Sequence, residues 1–493
     1  MIRASIIEAC ENPDLFGPWF RDRATWANWF TLLKATYGLP MDPAEEEVFR
    51  DCTGREFGPT EQCSEVWLIC GRRAGKSRVL AVNGVFLACF VDWTPYLTPG
   101  ERGVIPIVAA DRTQAKIILR YISALLQGVP ALAALASREI SETIDLSNGI
   151  SIEVTTASYK TSRGRTIVAG LLDEVAFWPN DESQNPDTEI IAALRPGMAT
   201  IPFALLFVAS SPYSRRGALY GAYRKHFGKP GRILVWKADT RTMNPTVPQS
   251  FLDEQYDLDP ASAAAEYGAE FRTDIETFLS REVIEAVTVR DRHELLPFGG
   301  FTYTAFVDAA GGSGGDSMTM AIAHGDRRDR IILDLVRENR PPFSPDAVVE
   351  EFAATLRMYG ISKVIGDRYA GDWPAERFAF HGIRYEPSEK TKSQIYQATL
   401  PIINSDALEL LDLPRLTTQL AGLERRTARG GRDSIDHGPG SHDDVANAAC
   451  GAIVSAIRPK TLAFAPLGEP SEALAHGFHG RDAESRYRAM LRG

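Results

Sequence analysis

The sequence predicts two α/β domains in series, the first a largely parallel sheet with helices on both faces and the second a smaller mixed sheet. Three observations lead there. Between Glu65 and Ala209, short apolar runs alternate with helix-length segments, the pattern of strand–helix–strand units whose strands lie parallel. Residues 239–298 then break into mixed turns, with a polar helix near Ala261–Phe271 and a stop at Pro297-Phe298-Gly299-Gly300. After that break, three strands follow one another before the next helix. At 493 residues the chain exceeds one core, and its 44% hydrophobic and 24% charged content is ordinary for a globular protein.

The elements follow in order. Residues 1–60, rich in Trp and acids (Trp19, Trp26, Trp29, Glu45-Glu46-Glu47), read as helices leading into the first sheet. Residues 61–238 form its core: strands at Glu65–Cys70, Gly103–Ala109, Ile150–Thr155, Thr166–Leu172 and Phe203–Ala209, with helices at Ser77–Phe90 and Gln114–Leu126. Residues 239–298 are a connector. Residues 299–458 carry strands at Tyr303–Val307, Met318–His324, Arg330–Val336 and Lys363–Gly366, and helices at Asp346–Tyr359 and Asp443 to about Ile457. Three strands, then helix and strand, match the ribonuclease-H-like layout. Residues 459–493 have little core-forming pattern and read as a flexible tail.

Bulk properties narrow the classes. No apolar run approaches a membrane span, and Met1–Ser5 does not open a secretion signal, which predicts a cytoplasmic protein with no membrane partner. Six cysteines without C-x-x-C pairs predict reduced thiols. The net charge of -10 argues against a nucleic-acid coat protein, but leaves room for a DNA enzyme with a local basic face.

Two sets of residues carry chemistry. In the first, Gly71-Arg72-Arg73-Ala74-Gly75-Lys76-Ser77 sits between a strand and a helix. Such a turn aims backbone N–H groups and a helix N-terminus at phosphate oxygens, with Lys76 as a point charge and Ser77 as a hydroxyl for Mg²⁺. The strict motif wants glycine at position 70, where Cys70 stands. Asp173 follows six uncharged residues, so it ends a central strand and can orient the Mg²⁺ shell; Glu174 beside it can polarise the attacking water. This predicts a P-loop NTPase of the RecA-like (ASCE) kind that hydrolyses ATP. On the Ser162-Arg163-Gly164-Arg165 loop, an arginine is placed to reach the γ-phosphate of a neighbouring subunit. Ala209-Ser210-Ser211-Pro212 can sense that phosphate through a hydroxyl.

The second set is carboxylic. Two-metal hydrolysis of a phosphodiester needs carboxylates converging from separate elements, to hold ions about 3.5–4 Å apart. Asp308 and Asp367 each end an apolar strand, Asp443-Asp444 open an alanine-rich helix, and Asp316 follows a Gly-rich loop that folds back toward Asp308 if the first two strands form a hairpin. Oxygen-only ligands call for Mg²⁺ or Mn²⁺ rather than Zn²⁺. His437 and His442 flank the last cluster as candidate proton shuttles. Arg425, Arg426, Arg429 and Arg432 form the most basic stretch, a candidate track for DNA phosphates.

Taken in order, these motifs resemble the large terminase subunit of tailed bacteriophages, the ATPase–nuclease that cuts concatemeric DNA and pumps it into a procapsid. The resemblance spans roughly residues 60–457. It rests on the loop with its late glycine and arginine, Gly170-Leu171-Leu172-Asp173-Glu174, Ala209-Ser210-Ser211-Pro212, Val307-Asp308 with Gly315-Asp316-Ser317, Gly366-Asp367, and His442-Asp443-Asp444. It implies that Arg72 touches nucleotide phosphates and that Arg163 is an arginine finger acting in trans, with Arg165 the other choice. It also implies double-stranded DNA as substrate, a ring of five subunits on the portal of a procapsid, a small terminase subunit as partner, and the host cytoplasm as location. The resemblance leaves two points open. No glutamine-centred adenine motif stands in residues 20–60, and either Asp443 or Asp444 can be the direct ligand.

Two other classes compete. A helicase or restriction translocase with an attached nuclease would need a second RecA-like domain, for which residues 240–300 are too few. A non-enzymatic, nucleotide-dependent DNA-binding protein would not need Lys76, Glu174 and the aspartates together.

Overall fold

The computed structural model describes residues 4–155, 164–178, 186–326, 328, 330–367, 373–405, 407–427 and 433–457. Met1–Ala456 form one compact unit and Ile457–Gly493 a second, of which only Ile457 is among the described residues, so the expected tail lies outside them. No described helix is long and apolar enough to cross a membrane.

The first sheet contains β1 (Glu65–Cys70), β2 (Gly103–Val108), β3 (Ala136–Ile140), β4 (Thr143–Leu146), β5 (Ile150–Thr155), β6 (Thr166–Ile167), β7 (Ala169–Asp173), β8 (Leu205–Ser210) and β9 (Ile233–Ala238). Its order is β3-β4-β5-β2-β7-β8-β1-β9, with β6 beside β2. From β5 to β9 every pairing is parallel; β3 and β4 add an antiparallel hairpin at the edge. β1, β7 and β8 are buried at every position, as expected of parallel strands covered on both faces. The Lys76–Cys89 helix is buried on nearly all sides, and Gly84 lets it approach the sheet: a Cβ there would meet Leu171 Cδ1 at 2.8 Å and Ile122 Cδ1 at 3.2 Å.

The N-terminal segment folds as helices at Ile6–Glu11, Ala27–Tyr37 and Pro43–Thr53. Reciprocal caps start the first and the third, from Ser5 with Glu8 and from Asp42 with Glu45.

The remaining strands are β10 (Ile275–Thr277), β11 (Thr288–Val289), β12 (Tyr303–Asp308), β13 (Met318–Gly325), β14 (Ile331–Asn339), β15 (Lys363–Gly366), β16 (Arg384–Pro387), β17 (Leu408–Leu411), β18 (Leu423–Thr427) and β19 (Asp433–His437). A seven-stranded mixed sheet runs β11-β17-β14-β13-β12-β15-β16, and a small sheet runs β10-β18-β19. β12, β13 and β14 are an antiparallel meander, while β15 joins β12 in parallel. The Asp444–Ser455 helix packs on this meander through Gly451, where a Cβ would stand 2.3 Å from the Phe306 ring. The observed fold class is thus the expected one, a P-loop-type parallel α/β sheet followed by a ribonuclease-H-like mixed sheet.

Two expectations need correction. The connector is more ordered than expected, with a helix at Gln249–Leu258 besides the one foreseen near Ala261, which spans Pro260–Glu266. The helix expected to reach Phe271 ends at Glu266 because Ala269 takes a left-handed φ of 56°, outside the helical region.

Candidate nucleotide and metal sites

Parallel register brings the first set of residues to one sheet edge. Ile69 pairs with Ser210 across β1–β8, and Asp173 with Ala209 across β7–β8, so the loop, Asp173-Glu174 and Ser210-Ser211 all leave the carboxyl ends of adjacent strands. That edge is where open α/β sheets bind ligands. The loop turns through Arg73 (φ 64°) and Gly75 (φ 115°) before the Lys76 helix. Gly71 admits no side chain: a Cβ would lie 2.2 Å from Thr240 Oγ1 and 2.6 Å from the Tyr267 carbonyl oxygen. The connector straps the loop in place. Thr240 Oγ1 donates to the Arg72 carbonyl at 2.9 Å and Asn244 Nδ2 to the Arg73 carbonyl at 2.7 Å, while Arg72 pairs with Glu266 at 3.4 Å. Trp29 Nε1 holds the Ala74 carbonyl at 3.0 Å from the other side.

Lys76 is buried, and its ammonium donates to the Cys70 and Gly71 carbonyls at 3.1 and 3.2 Å and to Ser211 Oγ at 2.9 Å. It also stands 3.2 Å from Glu174 Oε1. Glu174 occupies the left-handed region (φ 50°), where its other oxygen accepts from Ser211 N at 3.1 Å and Ser210 Oγ at 3.3 Å. Such a backbone state in a residue other than glycine is sparsely populated and clusters at functional sites. Ser77 Oγ donates to Asp173 Oδ2 at 2.9 Å, while Asp173 Oδ1 is buried with no hydrogen-bond partner. Burial first, and then the Glu174 charge, push the Asp173 carboxyl up to about 7. An unpartnered carboxylate oxygen beside a serine hydroxyl fits a Mg²⁺ shell. The cavity in front holds about 980 Å³, with Arg72, Arg73 and Gln114 among its walls.

Its aromatic walls, Trp26, Tyr121, Phe177, Phe251 and Tyr267, come from separated segments, so no local motif in residues 20–60 marks a base pocket. Arg163 lies outside the described residues. Arg165 is half exposed and pairs with Glu153.

The second set also converges. Val307 pairs with Gly366 across the parallel β12–β15 ladder, so Asp308 and Asp367 stand at the next step on neighbouring strands, and Asp367 N donates to the Val307 carbonyl at 3.2 Å. Asp308, Asp316, Asp367, Asp443 and Asp444 line one cavity of about 560 Å³. Asn447, one turn into the last helix, donates to Asp308 Oδ2 at 2.9 Å. Burial and the neighbouring carboxylates Asp444, Asp367 and Asp443 hold the Asp308 carboxyl well above the usual range, against the lowering effect of Asn447. Asp444 Oδ2 accepts from Ser317 N at 2.8 Å, and burial pushes its carboxyl up to about 6. Asp443 stands at the N-cap position of the last helix but makes no side-chain capping bond; its Oδ2 accepts from Tyr396 OH at 2.8 Å and its Oδ1 from Lys392 Nζ at 3.2 Å. Lys392 also bonds Asp436 at 2.7 Å.

An oxygen-rich donor set whose carboxylates raise one another's affinity for protons fits a hard divalent cation. The ligand atoms of Asp316, His442 and Asp444 lie within 4.8 Å of one another, as do those of Asp436, His437 and Asp443. His442 Nδ1 meets Asp316 Oδ1 at 3.1 Å, whereas His437 Nδ1 faces the Gly438 carbonyl at 2.9 Å.

Three neighbours of the carboxylates escaped the sequence reading: Lys392, Tyr396 and Asn447. Lys392 and Tyr396 are four apart on the Lys392–Asn404 helix, and Asn447 is four beyond Asp443. The spacing that puts side chains on one helix face was therefore the available signal. The expected basic track is partly withdrawn. Arg425 Nε bonds Asp433 at 2.8 Å, and Arg426 is engaged by Glu424, Tyr213 OH and the His437 carbonyl at 3.1–3.4 Å. Arg426 is held at the junction between the lobes by the buried Glu424, whereas Arg425 stays exposed but is claimed by the cross-strand Asp433. Arg429 and Arg432 lie outside the described residues.

No family model and no curated protein matches this chain. Among solved structures it is similar to the large terminase of bacteriophage HK97, at 14% identity and a TM-score of 0.34, over 85% of this chain and 95% of that one. It is similar to the large terminase of a thermophilic bacteriophage, at 10% identity and a TM-score of 0.36, over 81% and 96%. A third likeness is to the large terminase nuclease of thermophilic phage G20c with bound magnesium, at 15% identity and a TM-score of 0.31, over 35% and 96%. These solved structures are large terminases of tailed phages. At such scores the roles of individual residues rest on their geometry in this chain.

Proposed function

We propose that this chain is the motor and nuclease subunit of a viral DNA-packaging machine, hydrolysing ATP to drive double-stranded DNA into a procapsid and cutting concatemeric DNA. The observation that carries the reading is the coexistence, in one compact unit, of a strapped phosphate loop facing Asp173-Glu174 and a cavity lined by five aspartates. Lys76 exchanges its carbonyl contacts for the terminal phosphates, and the loop amides with Arg72 and Arg73 cradle the rest. Ser77 and Asp173 hold Mg²⁺. Glu174, oriented by Ser210 and Ser211, accepts the proton of the attacking water.

In the second cavity, Asp308, Asp367 and Asp443, with Asp316 and Asp444, hold Mg²⁺ or Mn²⁺. When bound, such ions polarise the phosphodiester and lower the pKa of water. Asn447, Tyr396 and Lys392 keep Asp308 and Asp443 aimed at the cavity. The partners that complete the machine are the portal of the procapsid, a small terminase subunit and further copies of this chain in a ring, in the host cytoplasm.

The purified full-length chain should hydrolyse ATP and, separately, nick plasmid with Mn²⁺; with procapsids and small subunit added, it should protect DNA from nuclease. ATP turnover and nicking without any protected DNA would favour the helicase or restriction-translocase alternative. A chain doing neither would be the non-enzymatic binding protein.

Arg163 is the proposed trans-acting finger. In mixed rings, Lys76→Ala subunits with intact Arg163 should partly restore ATP turnover to Arg163→Ala subunits, because one donates the arginine and the other the loop. Absence of rescue in rings of confirmed assembly would move the role to Arg165 or elsewhere.

A further inference from the structure

Glu424 is a carboxylate with no exposed surface, set in β18 at the centre of the small sheet. Its Oε2 accepts from Tyr213 OH at 2.7 Å and Arg426 at 3.4 Å, and its Oε1 from Arg216. Tyr213 and Arg216 belong to the first lobe, two and five residues beyond Ser211. A buried carboxylate is tolerable only while its oxygens keep such partners. The contact therefore ties the position of β18 to that of the segment following β8.

Each end of the tie reaches a candidate site. On the first-lobe side, Ser210 and Ser211 hold Glu174, and Phe177, three residues after Glu174, packs its ring 5.6 Å from that of Tyr213. On the other side, β18 pairs with β19 through Glu424↔Asp436 and Leu423↔His437, and the loop 438–441 runs from β19 into His442 and Asp443. That loop rests on the same residues. A Cβ at Gly438 would stand 2.7 Å from Glu424 Oε1, and one at Gly440 would stand 3.0 Å from the Phe177 carbonyl oxygen. Packing this close moves as a unit or separates; it does not deform gradually.

We propose that the Tyr213–Glu424 contact is a coupling latch through which the occupant of the phosphate site sets the position of the β19–Asp443 loop. Glu424 is then a positioning residue, acting on Asp443 through β19. The latch rests on the reading of both sites given above. A nucleotide that rearranges Glu174 and Ser211 shifts Tyr213, and the loop follows to the extent that the nucleotide prefers one arrangement over the other.

The test uses the full-length chain and its Tyr213→Phe variant, with ATPγS as the probe. The variant keeps the ring against Phe177 and removes only the hydroxyl donor. Two readouts are taken with and without ATPγS: hydrogen exchange of residues 433–443, and nicking of supercoiled plasmid with Mn²⁺. In the parent, ATPγS should change both by about fivefold or more, the lower range of allosteric coupling. In Tyr213→Phe the response should shrink below about twofold, with nucleotide-free nicking retained. A parent whose exchange ignores saturating ATPγS, or a Tyr213→Phe variant that responds like the parent, overturns the latch. Should Tyr213→Phe fail to fold, Arg216→Lys decides by the same criteria, since it keeps the charge but loses the guanidinium fork. Failure of the underlying reading looks different: exchange that responds to ATPγS without any nicking keeps the latch and removes the nuclease assignment.

Discussion

Asp308→Asn should lower Mn²⁺-dependent plasmid cutting by about a hundredfold or more, because metal-assisted charge stabilisation is worth several kcal/mol and each tenfold in rate is about 1.4 kcal/mol. Asparagine keeps the size of the side chain and an oxygen to accept the Asn447 amide, now 2.9 Å away, but removes a charge that would help hold a divalent cation. ATP turnover should stay within about twofold, since the phosphate loop stands on a different sheet. The variant should melt no lower than the parent without metal, as burial and three neighbouring aspartates already disfavour the ionised Asp308 carboxyl. Cutting by the parent should weaken as pH falls, since burial and neighbouring carboxylates raise the proton affinity of Asp308 and Asp444 and protons compete with metal. Parental cutting by Asp308→Asn in Mn²⁺ would return these aspartates to the plain role of strand ends.

Glu174→Gln should reduce ATP turnover by about two to four orders of magnitude, the usual contribution of a positioned general base. Glutamine can still accept from Ser211 N, which now donates to Glu174 at 3.1 Å, so nucleotide binding should persist while proton transfer is lost. Lys76→Ala should remove turnover by another route, taking away the charge that would face the terminal phosphates. Nicking with Mn²⁺ should survive in part in both variants, and titration with labelled ATPγS would separate lost binding in Lys76→Ala from lost chemistry in Glu174→Gln. ATP turnover at the parental rate by Glu174→Gln would remove it from the base role.

Local chemistry by itself determined much of this protein. Period and punctuation sufficed for the buried strands at Glu65–Cys70 and Ile150–Thr155, the helix after Lys76 and the meander after Tyr303, because an apolar run bounded by turn residues has few other ways to bury its surface. Strand-end aspartates were legible for the same reason: a charge after an apolar run marks where the buried strand ends, although the fold keeps Asp173 itself buried. Tertiary structure alone decided the rest. β3 is largely exposed and carries no apolar period to announce the β3–β4 hairpin, and the alternation on β4 spans only Thr143–Leu146. The strap of Thr240 and Asn244 over the loop joins residues about 170 apart in sequence, and the aromatic walls at Trp26, Tyr121, Phe177, Phe251 and Tyr267 come from separate segments. The arginines of β18 read as a free basic patch, yet Arg425 and Arg426 are claimed by Asp433 and Glu424. Sequence lists charges, but only the fold says which of them meet, and a buried carboxylate such as Glu424 dictates its partners because leaving it unpaired would cost more than the contacts return.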